Sequence, residues 1–473
     1  MTNREPLHAC TSILVGKQAS ADGSVMIGRN EDFRAAWPKH FVVHPTADIE
    51  DNKYVSNDTG VTVALPKHRF KYTATPEWTD KYGVIEEDGI NEEGVAMSAT
   101  ESAYSNARVL GYDPYSEHGI VEESMITITL PYVTSAREGV QRLGSLIEKY
   151  GAGESDGVLF ADSDEAWYME IGSGHHWVAK RIPDDEYAVV ANRISLQVID
   201  FDDSDNYMYS TGLPTFAQTH HLWDGKRAFN WRDIFGTNDH FDQVYNTARV
   251  WSGQRILTPS VQQDPEDLNV PFSRKPDKPI FLDDVTTVLS DHFNHTIYDT
   301  TGKRPEAHKY RPISLSKTQE SHVLQMRPNM PNEIANLHWL AMGVSAESIY
   351  VPFYAGITDT PADYKVGGQT YTDNSAYWLY KLAGVLVDAH YHKFIRDLNN
   401  VQKDVYSKFL GKIAATDQQA LAESDDVRRA KLLTDASFAM ADTARQAIKH
   451  FIADVITKET DLSPLTFTTD ENL

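Results

Sequence analysis

Short apolar runs and polar turns alternate from the start of the chain. Ile13-Leu14-Val15 and Val25-Met26-Ile27 are aliphatic runs of strand length, and a segment rich in turn formers separates them. This pattern is typical of two strands joined by a tight turn. We therefore predict a hairpin whose first strand begins at Cys10 and whose second strand brings Arg29 and Asp32 back towards Cys10.

Further apolar runs predict strands at residues 41–43, 61–65, 82–85, 94–99, 157–161, 166–171, 176–179 and 187–191. Residues 134–151 have a helical period instead, with Ser135 as a capping residue and Gly151 at the carboxyl end. The last four strands are expected to lie in one sheet. Since strands and helices do not alternate regularly, the order favours an α+β fold of antiparallel sheets covered by helices.

The second half of the chain has strand patterns at residues 321–326, 337–342 and 348–353, so the sheet is expected to recruit strands from distant parts of the chain. Residues 200–310 give no clear order. Two long amphipathic helices are predicted, at residues 375–410 and 425–458. We divide the chain into a leader at residues 1–9, a domain at residues 10–370 and a helical region at residues 371–473. The apolar faces of the two helices are suited to a homo-oligomeric contact.

The composition narrows the class of protein. The chain has 473 residues, 41% of them hydrophobic, and a formal charge of −24, which argues against a nucleic-acid partner and an anionic membrane surface. No apolar run approaches the roughly 20 residues of a membrane span, and residues 1–9 lack the apolar core of a signal peptide. We expect a cytoplasmic protein. One cysteine excludes an internal disulfide.

That cysteine has two interpretations. A lone cysteine is usually a small buried hydrophobic residue, and here it would then lie beside a surface charge cluster. If residues 1–9 were removed, however, Cys10 would carry both a thiol and a free α-amine, and such an amine can act as the base for its own nucleophile. Arg29 could then lower the pKa of the thiol or orient a substrate carboxylate, while Asp32 could hold the amine or ammonium by hydrogen bonds.

Several motifs together resemble a known family. Cys10 opens a strand, GRNEDF follows about twenty residues later, and DGINEEGVAMSATES, VVANR, RPISLSKTQESHVLQMRP and SIYVPFYAGI come further on. The chain resembles the N-terminal nucleophile hydrolases, and within them the cysteine dipeptidases of lactic-acid-bacterial type, which are related to penicillin V acylases and bile salt hydrolases. The resemblance implies a four-layer αββα sandwich and a dipeptidase of broad specificity that matures by loss of a short leader.

The resemblance also implies site residues. Cys10 matches the nucleophile, Arg29 and Asp32 match the residues that flank it, and Asn192 matches the asparagine of the oxyanion hole. A further contact is expected near Thr100 and Glu101, although bile salt hydrolases have asparagine where Glu101 falls.

Two assignments around this site stay open. The relatives have a further arginine late in the chain, and it has several possible counterparts here, Arg249 and Arg255 among them. Glu101 and Arg193 are chemically suited to bind the free amino group and the free carboxylate of a dipeptide, which we state as a hypothesis.

Other chemistry is less well supported by the sequence. The pairs His292/His295 and His390/His392 lack a completing set of metal ligands, so no cofactor is expected. Two rival functions remain: an amidase acting on a nonpeptide acyl amide, and a noncatalytic interaction protein like the eukaryotic secernins, which resemble this family. A small peptide is the expected substrate.

Overall fold

The fold is a mixed α/β structure in which antiparallel strands form two large sheets. A computed structural model describes residues 10–465. Its strands are β1 Thr11–Val15, β2 Val25–Asp32, β3 Val42–His44, β4 Ala47–Asp48, β5 Lys53–Val55, β6 Thr62–Ala64, β7 His68–Arg69, β8 Tyr72–Ala74, β9 Asp88–Ile90, β10 Ala96–Ala103, β11 Ser155–Ala161, β12 Ala166–Ile171, β13 Trp177–Arg181, β14 Tyr187–Ala191, β15 Val198–Ile199, β16 Tyr207–Tyr209, β17 Phe229–Asn230, β18 Ser273–Arg274, β19 Thr318–Met326, β20 Asn336–Met342 and β21 Val351–Tyr354.

The helices lie between and after these strands. They are α1 Ala107–Leu110, α2 Glu122–Thr129, α3 Ala136–Tyr150, α4 Leu213–Thr219, α5 Trp231–Phe235, α6 Ala248–Leu257, α7 Leu282–Leu289, α8 Asn332–Ala335, α9 Ala376–Ala389, α10 Tyr391–Ala422 and α11 Asp426–Glu459. None of the helices within residues 10–465 is both long enough and apolar enough to cross a membrane.

The first sheet has seven strands in the order β18-β14-β1-β2-β19-β20-β21, and the second has six in the order β16-β13-β12-β11-β10-β9. Their facing surfaces share one hydrophobic cluster that includes Leu14, Ile27, Leu159 and Leu324. The alternate residues Ile13 and Met26, by contrast, join a second cluster with α7, α9, α10 and α11. A third cluster packs α2 and α3 on the six-stranded sheet. Because side chains alternate across a strand, each sheet is buried on both faces.

The predicted hairpin is confirmed. Strands β1 and β2 pair antiparallel with Thr11 opposite Asn30 and Val15 opposite Met26. Strand β19 pairs with the other edge of β2, which confirms that distant parts of the chain contribute to one sheet. The helix predicted at residues 134–151 is α3, with Ser135 as its N-cap.

Three predicted elements are wrong. Residues 82–85 form no strand, because the backbone at Ile85 has a positive φ of 42°. Strand β14 was expected in the same sheet as β11, β12 and β13, but it pairs with β1 in the seven-stranded sheet. The helix predicted at residues 375–410 is two helices, because the backbone leaves the helical region at His390.

Candidate active site

The β1–β2 hairpin brings charged side chains to the single thiol. Ser12 lies opposite Arg29, so Cys10 and Glu31 fall next to each other at the end of the pairing. The Sγ atom of Cys10 lies 3.0 Å from Oε2 of Glu31, and Nη1 of Arg29 donates to the same sulfur at 3.1 Å. Cys10 is fully buried. The hairpin thus delivers Arg29 to Cys10 as predicted.

Arg29 is held in one orientation by backbone carbonyl groups of β10 and by two carboxylates. Its guanidinium donates to the carbonyl oxygens of Ala99 at 2.8 Å and Thr100 at 3.0 Å, and it pairs with Glu31 at 2.5 Å and Glu87 at 2.7 Å. Charge-assisted contacts of this kind fix a planar guanidinium strongly. Arg29 therefore presents one defined N–H group to the sulfur of Cys10.

The thiol of Cys10 is protonated in this arrangement. Burial raises its pKa well above the usual value, and the carboxylate of Glu31 raises it further. Arg29 lowers the pKa, as the sequence suggested, but burial and the carboxylates outweigh it. Since the thiolate is the reactive form, Cys10 needs a base close to it before it can attack a carbonyl group.

Glu31 was not assigned a role from the sequence, although it lies in the same motif as Arg29. The two residues are two positions apart on β2, and side chains two apart on a strand share a face. This two-residue spacing was the feature of the sequence that could have identified Glu31 as a site residue. Asp32 is placed differently, because its carboxylate accepts from Thr318 Oγ1 at 2.5 Å and pairs with Arg311. Burial raises the pKa of Asp32, and Arg311 opposes that shift.

Arg249 connects Cys10 to Asn192. Its guanidinium donates to the carbonyl oxygen of Cys10, to Thr11 Oγ1 at 2.8 Å and to Oδ1 of Asn192 at 2.8 Å. Because Oδ1 of Asn192 accepts this bond, its Nδ2 group is directed elsewhere, and that buried nitrogen has no hydrogen-bond partner among residues 10–465. Arg255 pairs with Asp291 at 3.4 Å instead. Of the two late arginines, Arg249 is the one that contacts Cys10.

Thr100 and Glu101 lie beside the same site. The backbone N–H of Thr100 donates to Glu122 at 3.2 Å. One carboxylate oxygen of Glu101 accepts from Ser12 Oγ, and in the described chain its buried Oε2 atom has no hydrogen-bond partner. Burial raises the pKa of Glu101 to about 8. Glu101 thus carries spare hydrogen-bonding capacity on the face that holds Cys10.

Arg193 follows Asn192 but has other neighbours. Its Nη1 donates to Thr247 Oγ1 at 2.7 Å, and its buried Nε has no hydrogen-bond partner within the described residues. Burial and the nearby Arg232 lower the pKa of Arg193 to about 9. The contacts of the structure therefore do not bring Arg193 to Cys10.

The protonation of Glu101 predicts a dependence of stability on pH. Its pKa is raised to about 8 in the folded chain, against about 4.3 for an unperturbed glutamate. The stability that this group contributes is therefore present below about pH 4.3 and is lost as the pH rises to about 8. We expect Glu101→Gln to gain up to about 4 kcal/mol relative to the wild type between pH 5 and pH 8. Urea unfolding across this range measures the difference, and parallel curves for the two proteins would contradict the prediction. Glu117→Gln, at an exposed glutamate, is the control and should stay parallel to the wild type.

Two buried clusters each bring three possible metal ligands within 4.8 Å of one another in the described chain. The first consists of Glu31, Glu87 and Glu122, and the guanidinium of Arg29 already binds two of its members. The second consists of Asp88, Glu320 and His322. Neither cluster could be found from spacing in the sequence, because each joins residues from distant parts of the chain.

Comparisons with known proteins identify this chain as a peptidase. The model of peptidase family C69 matches residues 9–404, and the chain belongs to that family. A probable dipeptidase of Latilactobacillus sakei is 44% identical over 476 residues that cover all of both chains. The probable dipeptidase B of Lactococcus lactis subsp. lactis (strain IL1403) is 40% identical over 449 residues, 93% of each chain. Dipeptidase A of Lactobacillus helveticus is 38% identical over 400 residues, 81% of this chain and 83% of that protein. The resemblance to lactic-acid-bacterial dipeptidases is confirmed.

Proposed function

We propose that this protein hydrolyses dipeptides of broad specificity, using the thiol of Cys10 as an N-terminal nucleophile that removal of residues 1–9 exposes. The observation that carries the proposal is the position of that thiol, at the start of a strand and 3.1 Å from the guanidinium of Arg29. The names of the relatives support the substrate class. Residues 1–9 lie outside the described part of the chain, so leader removal rests on the sequence.

The proposed reaction begins with a proton transfer. The freed α-amine of Cys10 accepts the thiol proton, and the sulfur attacks the carbonyl carbon of the peptide. The oxyanion that forms accepts a hydrogen bond from Nδ2 of Asn192. When the C–N bond breaks, the ammonium of Cys10 returns its proton to the leaving amine and a thioester remains. Water then hydrolyses the thioester, which releases the acid and regenerates the thiol.

The oxyanion role of Asn192 is supported by its spare donor. Arg249 fixes Oδ1 of the amide at 2.8 Å, so Nδ2 is held in one direction without a partner in residues 10–465. A preorganised donor that meets its acceptor only as charge develops stabilises the transition state. Arg249 also binds the carbonyl oxygen of Cys10, so one side chain aligns the nucleophile and the donor. Asp32, paired with Arg311, is proposed to orient the α-amine.

Recognition of both ends of a dipeptide is assigned to Glu101 and Arg193, with Thr100 as an additional substrate contact. Glu101 suits the α-ammonium and Arg193 suits the carboxylate. Each has a buried polar atom without a hydrogen-bond partner in the described chain, Oε2 in the first and Nε in the second. Buried polar atoms are normally satisfied, so these two unsatisfied atoms are suited to the amino and carboxylate groups of a zwitterionic ligand.

The wider organisation is also proposed. The two facing sheets and the helices on their outer surfaces support the four-layer αββα architecture of N-terminal nucleophile hydrolases. Residues 10–370 would form the hydrolase domain and residues 371–473 the helical region. The last eight residues of that region lie outside the described part of the chain, and its helices α9, α10 and α11 pack on the seven-stranded sheet. We propose a cytoplasmic enzyme and a homo-oligomeric contact through the C-terminal helices.

A set of blocked substrates tests the substrate class. We expect kcat/KM for a free dipeptide such as Ala-Ala to exceed that for its N-acetyl and amide derivatives by at least about 100-fold, since each derivative leaves one of these buried polar atoms without its partner. Release of amino acids measured by chromatography gives the rates. Hydrolysis of N-acyl amides in preference to free dipeptides would make the protein an amidase. Absence of hydrolysis with every substrate, in protein that has lost residues 1–9, would support a noncatalytic role.

A further inference from the structure

A second buried group of titratable residues lies behind Arg29 and has no part in the mechanism above. Strand β19 pairs with β2 so that His322 lies directly opposite Arg29. The ring of His322 is fully buried. Its Nε2 atom lies 2.9 Å from Ser98 Oγ, and the same Ser98 oxygen accepts a hydrogen bond from Nε of Arg29 at 3.0 Å. One hydroxyl group therefore joins the imidazole to the guanidinium that contacts Cys10.

The other side of the imidazole is fixed by carboxylates from two strands. Nδ1 of His322 lies 2.8 Å from Oδ2 of Asp88 and 3.1 Å from both oxygens of Glu320. Oδ1 of Asp88 lies 3.0 Å from Nε2 of His338. Asp88 and Ser98 belong to the six-stranded sheet, whereas His322 and Glu320 belong to the seven-stranded sheet. The group therefore ties the two sheets together directly beside Arg29.

The charges favour a protonated imidazole. Burial opposes protonation, but Asp88 and Glu320 raise the pKa of His322 to about 9. Below that pH both ring nitrogens carry hydrogen, so Nδ1 donates to Glu320 and forms an ion pair with Asp88, while Nε2 donates to Ser98. The Ser98 oxygen then accepts from Arg29 and from His322 with its two lone pairs.

We propose that His322 is a positioning residue that sets, through Ser98, the direction in which Arg29 presents its guanidinium to the sulfur of Cys10. Asp88 and Glu320 hold the ring in place from behind. Arg29 also has carbonyl and carboxylate partners, so losing Ser98 would turn the guanidinium without releasing it. Turning it changes the distance between Nη1 and the sulfur. The inference depends on the proposed function, since it needs Cys10 to be the nucleophile.

The test combines His322→Gln with Ser98→Ala. Misplacement of a catalytic group by about 1 Å can cost about 100-fold in rate, so each single variant is expected to lower kcat for dipeptide hydrolysis by about 10- to 100-fold and to change KM by less than about 2-fold. Because both changes break the same link, the double variant should be no slower than the slower single variant. If the fold-losses of the two single variants multiply in the double variant, the proposal is overturned. A kcat for His322→Gln within about 2-fold of the wild type would also overturn it.

A second buried histidine provides a matched control. His292 also lies between a carboxylate and a hydroxyl group, with Nδ1 at 3.0 Å from Asp299 and Nε2 at 2.8 Å from the hydroxyl of Tyr391. It has no contact with Arg29 or Ser98. We expect His292→Gln to keep kcat within about 2-fold of the wild type. An equal loss in His292→Gln and His322→Gln would indicate general destabilisation and would overturn the proposal.

Further measurements distinguish this proposal from misfolding, from metal binding and from failure of the proposed function. If His322→Gln fails to fold, Ser98→Ala alone decides, because a normal kcat in that variant removes the link. Loss of wild-type activity on dialysis against 1,10-phenanthroline, restored by a divalent metal, would mean that Asp88, Glu320 and His322 hold an ion, which also overturns the proposal. Activity retained in Cys10→Ala would contradict the proposed function itself, whereas an inactive Cys10→Ala beside a normal His322→Gln contradicts only this inference.

Discussion

Replacing Cys10 by alanine is expected to reduce dipeptide hydrolysis to the background rate, a loss of at least about 10⁴-fold in kcat. Removing the nucleophile of a covalent mechanism costs most of the rate, because the remaining groups can only bind and polarise the substrate. Arg29, Arg249 and Asn192 would keep their positions, so substrate binding should persist. Single-turnover and steady-state rates on one dipeptide measure the effect.

Stability must be compared in the same experiment. Cys10 is buried and touches Glu31 and Arg29, so its replacement leaves both charges with one partner fewer. Circular dichroism and urea unfolding should show a folded protein. Cys10→Ser replaces the thiol by a hydroxyl group of similar size and so tests the nucleophile rather than the packing. A folded Cys10→Ala protein with wild-type rates would show that the reaction does not use this thiol.

Replacing Asn192 by alanine is expected to lower kcat by about 100- to 1,000-fold, which is the usual effect of losing one oxyanion donor. KM should change little, because the hydrogen bond forms fully only as charge develops on the carbonyl oxygen. The structural reason is the buried Nδ2 atom, which Arg249 directs by holding Oδ1. Steady-state kinetics on one dipeptide separate the two parameters.

The chain contains a matched control for this prediction. Asn336 is also buried, and its Nδ2 has no hydrogen-bond partner in the described part of the chain, yet it lies at the start of β20, opposite Met326 at the end of β19. We expect Asn336→Ala to keep kcat within about 2-fold of the wild type while its stability falls by an amount comparable to that in Asn192→Ala. If both variants lose rate equally, Asn192 stabilises the fold and not the transition state.

The local elements could be predicted from the sequence because their signals are local. The β1–β2 hairpin needs only two apolar runs and a turn, and α3 has its capping residues and its period within one segment. The partner of β14 could not be predicted in this way. Every residue of β14 is buried, so both of its faces are apolar and its pattern does not distinguish between the two sheets.

Other boundaries depend on single backbone conformations. No glycine or proline lies at the break between α9 and α10 at His390, so the sequence has no helix-breaking residue there. The positive φ of Ile85 ends a run that otherwise has a strand pattern, and positive φ values are rare for β-branched residues. Tertiary packing decides both positions, so neither could be read from the sequence.

In the candidate site, too, local motifs could be predicted from the sequence and contacts between distant residues could not. Cys10, Arg29 and Asn192 come together as the motifs suggested. The contacts that orient them come from residues far apart in the chain, such as Arg249 with Asn192 and Ser98 with Arg29. The sequence left several possible counterparts of the late arginine, Arg249 and Arg255 among them, because the choice depends on how α6 lies against β14. Pairing between distant elements is information that period and spacing do not contain.

The most direct test of the central claim is the intact mass of purified wild type and Cys10→Ala, measured beside their dipeptide hydrolysis. We predict that the active wild type has lost residues 1–9, so that its first residue is Cys10, and that the variant keeps those residues and is inactive. A wild-type protein that retains residues 1–9 and still hydrolyses dipeptides would have no free α-amine on Cys10. That result would contradict the N-terminal nucleophile mechanism.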